Sequence, residues 1–124
     1  MGEILKPAGR DLLIVDDEAF VRHDMVDFFE DAGFTVFEAQ DADEAIDLLR
    51  RHSSIGIVLT DVQMPGSMDG LKLAHYIRDR YPPALLIVAS GARELTATDL
   101  PDQAMFVPKP FSPHAVLNEI RQRL

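Results

Sequence analysis

Leu12-Leu13-Ile14-Val15-Asp16-Asp17 is an apolar run of strand-forming residues that stops abruptly at two acids. The same punctuation recurs down the chain. Ile55 to Leu59 runs into Thr60-Asp61, Leu85 to Ala89 into Ser90-Gly91, and Met105-Phe106-Val107 into Pro108-Lys109-Pro110-Phe111. Phe34-Thr35-Val36-Phe37 reads as a further strand from its aromatic and β-branched content. Near-continuous apolar strands of this kind are buried on both faces, which implies a parallel sheet covered by helices.

The segments between the strands carry helical spacing. Val21, Met25, Phe28 and Ala32 recur at three- and four-residue intervals, and Gly33 is a stop. Asp41 with Glu44 is a capping-box variant before Ala42, Ala45, Ile46 and Leu49. Leu71, Ala74 and Ile77 mark another helix. Ser112-Pro113 opens the last one, whose apolar positions are Val116, Leu117, Ile120 and Leu124. Between Ala92 and Gln103 only Leu95 and Leu100 are large apolar anchors, so a short or partly irregular helix is expected there.

The chain of 124 residues suits one domain. It has no cysteine, which removes disulfides and thiolate metal sites and fits a cytoplasmic setting. No signal-peptide or membrane-spanning stretch is present. The net charge of −9 argues against a nucleic-acid surface, which needs a basic patch. Arg50-Arg51-His52 reads as the positive end of a helix complementing its dipole. His23, His52, His75 and His114 fall on separate predicted helices without ligand spacing, so they read as surface residues.

In an open parallel sheet, ligands sit beyond the carboxyl ends of the strands. Asp16, Asp17, Asp61, Ser90 and Lys109 all arrive at that edge. Taken singly, each has a plain reading as a cap, a turn residue or a surface charge. Together, three carboxylates repel one another without a cation. Oxygen-only ligands select a hard ion such as Mg2+, with Mn2+ as a substitute. A carboxylate nucleophile, a metal, a lysine and a hydroxyl suit phosphoryl transfer.

The pair Asp16-Asp17, Asp61 followed by Met64-Pro65 and Asp69-Gly70, Ser90, and Lys109-Pro110-Phe111 resemble the receiver domains of two-component response regulators, of the chemotaxis-type single-domain form. The resemblance covers about Asp11 to Leu124, leaving residues 1–10 as an N-terminal extension. It implies a flavodoxin-like, doubly wound α/β fold with five parallel strands in the order 2-1-3-4-5 and a shortened helix between the fourth and fifth. Asp61 would accept a phosphoryl group from a histidine kinase or histidine phosphotransfer protein. Asp17 and Asp61 would bind Mg2+ directly, Asp16 mainly through water, and the Gln63 backbone carbonyl would be a further ligand. Lys109 would pair with Asp61 and then with the phosphate. Ser90 and Phe106 would be the switch pair, and Lys109-Pro110 would be cis. Such a domain modifies itself and does not turn over a substrate. It would work in the cytoplasm as a monomer or a phosphorylation-dependent dimer, through protein contact and without nucleic acid or membrane.

Three features depart from the family pattern. The loop from Met64 to Gly70 is one residue longer, Ser90 to Lys109 spans only nineteen residues, and Phe106 stands where many receivers have tyrosine. Pro108 cannot donate to a ladder, which places the fifth strand at an edge. A competing reading is a small Mg2+-dependent phosphatase of the haloacid-dehalogenase type. That family has a second Asp two residues after its nucleophile as general acid, whereas this chain has Gln63. A degenerate receiver acting as a fixed scaffold is a third reading.

Overall fold

The computed structural model describes residues 9–64, 68–91 and 98–124. In chain order the elements are β1 (Asp11–Val15), α1 (Ala19–Asp31), β2 (Val36–Ala39), α2 (Ala42–Arg51), β3 (Ile55–Asp61), α3 (Gly70–Arg80), β4 (Leu85–Ser90), β5 (Met105–Pro108) and α4 (Pro113–Arg123). The strands form one parallel sheet in the order β2-β1-β3-β4-β5, as expected.

Alternation along the strands divides the core in two. Leu13, Val15, Val58, Leu86 and Val88 face α2 and α3, where they meet Ala45, Leu49, Leu73, Ala74 and Ile77. Leu12, Ile14, Ile57, Leu59 and Ile87 face α1 and α4, against Met25, Phe29, Val116, Leu117 and Ile120. Each large side chain buried in this way contributes about 1.5–3 kcal/mol. The polar turns therefore stay at the sheet ends, which is where the chemistry collects.

Capping follows the residue types. Asp41 Oδ1 accepts from the Glu44 N–H at 2.9 Å, while Glu44 Oε1 accepts from the Gln40 N–H at 3.1 Å. Asp69 caps α3 by accepting from the Lys72 N–H at 2.9 Å. Ser112 accepts from Ala115, with Pro113 at the first helical position. Arg50 and Arg51 lie in the last turn of α2, so the basic cluster is a helix end.

Three expectations need correction. The buried residues of α1 are Met25, Val26 and Phe29; Phe28 and Ala32 of the expected stripe pack at the margin of the same cluster, whereas Val21 is exposed, as is Phe20 at 90%. Strand β2 begins at Val36, two residues later than its aromatic content suggests. Gly33 takes a positive φ of 101°, and the Phe34 N–H then turns back to the Phe29 carbonyl at 3.1 Å. Phe34 thus closes α1 and packs its ring edge-on to Phe29 instead of entering the ladder. In α3 Ala74 and Ile77 are fully buried as expected, together with Leu73, whereas Leu71 packs at the margin.

Residues 65–67 of the longer loop after Met64, where the extra residue is expected to bulge locally without moving Asp61, and residues 92–97 of the expected short helix lie outside the described residues. The remainder of that connection, 98–103, runs in turns without helix. Pro108 ends β5 at the sheet edge, paired with Ser90.

Candidate functional site

The carboxyl ends of β1, β3, β4 and β5 bring together the residues singled out in the sequence. Asp61 is the last residue of β3, and Asp16 follows directly on β1. Each of Asp16, Asp17 and Asp61 offers a carboxylate oxygen, and these oxygens lie within 4.8 Å of one another. Lys109 reaches in from the end of β5. Its Nζ is 3.2 Å from Asp61 Oδ1 and 3.8 Å from Asp16 Oδ2. The Lys109 N–H donates to the Ser90 carbonyl at 2.9 Å, so the lysine and the serine are tied at the strand ends. Lys109-Pro110 is cis, as expected.

The three acids differ in setting. Asp16 is 2% exposed, Asp61 is half-buried and Asp17 is exposed. Burial pushes the Asp16 carboxyl above its ordinary value of 3.8. The Glu18 N–H, donating to Oδ1 at 2.9 Å, and the charge of Lys109 pull it back, while Asp61 and Asp17 add to the rise. One ammonium faces three carboxylates, so the ionised site carries excess negative charge. Its donors are all oxygen. Both properties fit a hard divalent cation bound by carboxylates and water.

Ser90 is buried at the end of β4. Phe106 is half-buried in β5, opposite Val88 and two residues before the row that pairs Ser90 with Pro108. Gln63 is exposed two residues after Asp61, so no carboxylic acid stands where a phosphatase would place its general acid. His23, His75 and His114 are exposed, as expected of surface residues, and His52 is half-buried; each touches a neighbour. His52 lies against the Phe37 ring, His114 meets Phe28 edge-on, His75 Nε2 is 2.7 Å from the Asp99 carbonyl, and His23 is 3.4 Å from Glu38. Among the described residues none joins a metal-binding cluster.

Sequence reasoning missed three residues that shape the site. Thr60 is buried, and its hydroxyl donates to the Asp61 carbonyl at 3.0 Å. Gly70 packs directly on that same carbonyl and leaves no room for a Cβ. Arg22 Nη1 donates to the Asp16 carbonyl at 2.8 Å. These contacts depend on the path of the chain and leave no periodic trace; only the fixed Asp69-Gly70 dipeptide hinted at one of them. Beside Lys109, an apolar groove lined by Val21, Met25, Pro110, Phe111 and Pro113 opens between α1 and the start of α4.

Residues 12–121 match the model of the response regulator receiver domain family. The chain is 35% identical over 117 residues to the sensor kinase CckA of Brucella abortus, covering 91% of this chain and 12% of that protein. It is 31% identical over 121 residues to the aerobic respiration control protein ArcA of Escherichia coli K12, covering 91% of this chain and 48% of that one. It thus spans only a part of both relatives. A response regulator receiver protein from Sinorhizobium medicae superimposes with a TM-score of 0.84 at 27% identity, over 92% of this chain and 93% of the other.

Proposed function

This chain belongs to the response regulator receiver domain family, and on that premise we propose that Asp61 accepts a phosphoryl group from the phosphohistidine of a kinase or phosphotransfer protein. The observation that carries this reading is the placement of Asp61 beside Asp16, Asp17 and Lys109 at one sheet edge.

An oxygen of the Asp61 carboxylate bonds to phosphorus as the phosphorus–nitrogen bond breaks. The electron pair leaves with the imidazole, and an acyl phosphate remains on Asp61. Lys109 pairs with Asp61 beforehand and follows the charge onto the phosphoryl oxygens. Ser90, at the end of the neighbouring strand, presents its hydroxyl to another of those oxygens. Asp17, Asp61 and the Gln63 backbone carbonyl would hold Mg2+ directly, and Asp16 mainly through water. When bound, the ion supplies positive charge to the phosphoryl group.

Movement of Ser90 toward the phosphate frees Phe106 to repack, and the two arrangements exchange population on phosphorylation. The half-buried place of Phe106 supports this role, since its ring has both core and surface within reach. The groove beside Lys109 suits the donor protein, and Phe20 on the same helix, α1, adds an exposed apolar side chain. The domain thus signals through protein contact and is modified once per cycle.

Incubation with acetyl phosphate and Mg2+, read by intact mass, should add one phosphoryl group to the wild type and none to Asp61→Asn. Continued modification of the Asn variant would disprove the assignment. Removing Mg2+ with a chelator should abolish the modification.

A further inference from the structure

Arg22 extends from the first turns of α1 to two other elements. Its Nη1 donates to the Asp16 backbone carbonyl at 2.8 Å, and its Nε donates to Glu38 Oε1 on β2 at 2.7 Å. The side chain is only 13% exposed. The carbonyl it holds belongs to the peptide that joins Asp16 to Asp17.

We propose that Arg22, braced by Glu38, is a positioning residue for the cation site: it fixes the plane of the Asp16–Asp17 peptide and so aims both carboxylates at Asp61. The inference rests on the Mg2+ role proposed above. Every polar group of Asp16 is occupied. Its N–H donates to the Ala39 carbonyl at 3.1 Å, its carbonyl accepts from Arg22, Oδ1 accepts from Glu18, and Oδ2 faces Lys109. Asp17 is exposed, so its carboxylate depends on the backbone for direction. That backbone is held from one side by β2 and from the other by Arg22.

Glu38 has a second part. A bare guanidinium beside the acids would repel a cation, and the carboxylate at 2.7 Å offsets its charge. The planar fork of arginine reaches both acceptors at once. A lysine carries the same charge on a single ammonium and cannot reproduce that geometry.

The test is an amide NMR titration with Mg2+ of the wild type, Arg22→Lys, Arg22→Ala and Glu38→Gln, well below their melting temperatures. The spectra report folding and affinity together, so a residue that only stabilised the fold would leave the dissociation constant unchanged. Loss of a group that orients metal ligands weakens affinity by about tenfold or more. We expect about tenfold for both Arg22 variants, with lysine giving no rescue, and a smaller weakening for Glu38→Gln. If Arg22→Ala fails to fold, Arg22→Lys decides. Folded Arg22 variants that bind Mg2+ within about twofold of the wild type overturn the positioning role alone. A wild type that binds no Mg2+ overturns the cation reading, and this inference with it.

Discussion

Gly70→Ala is the substitution whose effect can be worked most closely from the geometry. Gly70 begins α3, and its N–H returns to the Val62 carbonyl at 2.9 Å, folding the loop back onto the end of β3. A Cβ built there overlaps the Asp61 carbonyl oxygen, lies 2.6 Å from the Asp61 carbonyl carbon and 3.0 Å from Thr60 Oγ1. Two carbons pack at about 3.5–4.0 Å, and the overlapping oxygen asks for more, so α3 and β3 must separate by at least roughly 1 Å. Neither side is a flexible side-chain end that can swing away. Overpacking of this kind costs about 1–3 kcal/mol. The higher helix propensity of alanine returns at most about 1 kcal/mol. A net loss of about 2 kcal/mol corresponds to roughly 8 °C in melting temperature for a chain of this size. The chemistry should suffer more, because a displacement near 1 Å at the reacting group can cost about a hundredfold in rate. Gly33→Ala is the control. Gly33 also has a conformational demand, with φ of 101°, but nothing lies within 4 Å of its would-be Cβ and it is far from the site. It should lower stability by about 1 kcal/mol and leave the phosphorylation rate unchanged. Melting curves and the rate of acetyl phosphate labelling separate the two effects. A Gly70→Ala protein that melts and reacts like the wild type would refute the close-contact argument.

Further outcomes follow from the charges and the surface. Asp16 has a raised pKa, so its protonation favours the fold: that stabilisation is full below 3.8 and is lost as pH rises through the raised value. At pH 7, without Mg2+, the ionised group is a cost, and Asp16→Asn should melt higher than the wild type; a lower melting temperature would contradict this. Added Mg2+ should stabilise the wild type more than Asp16→Asn, as a titrated melt would show. Lys109→Ala removes a positive charge 3.2 Å from Asp61. It should keep or tighten Mg2+ binding while phosphorylation falls steeply, and loss of both together would mean that Lys109 chiefly organises the acids. Phe20→Ser should slow transfer from a phosphorylated histidine kinase and leave acetyl phosphate labelling untouched, since Phe20 is 90% exposed and belongs to neither core cluster. Equal slowing with both donors would place its effect inside the domain.

The strand ends were legible in the sequence because burial on both faces makes the strands apolar throughout. The first polar residue after each run therefore marks the edge where ligands bind. Asp16, Asp17, Asp61, Ser90 and Lys109 were found that way, and the family resemblance named their roles. The start of the apolar face of α1 was misread because Val21 mimics a core residue while lying at the exposed start of the helix. Strand β2 was placed too early because Phe34 has the composition of a strand residue but is claimed by the turn at Gly33. Arg22 and Thr60 were invisible, and the contact made by Gly70 was only hinted at by the Asp69-Gly70 motif, for a different reason. Each acts on a backbone carbonyl, and a carbonyl looks the same at every position of a sequence.

Pro108 has a consequence for how molecules of this protein meet. The Lys109 N–H points inward to Ser90 on β4. Amide directions alternate along a strand, so the nitrogen of Pro108 faces the outer side of β5. The residue that lacks an N–H thus sits where no bond within the sheet is lost, and the rim is deprived of a donor. A strand from a second molecule that tried to extend the sheet past β5 would find a gap in the ladder next to Lys109. The β5 edge is thereby guarded against fusing with its own kind.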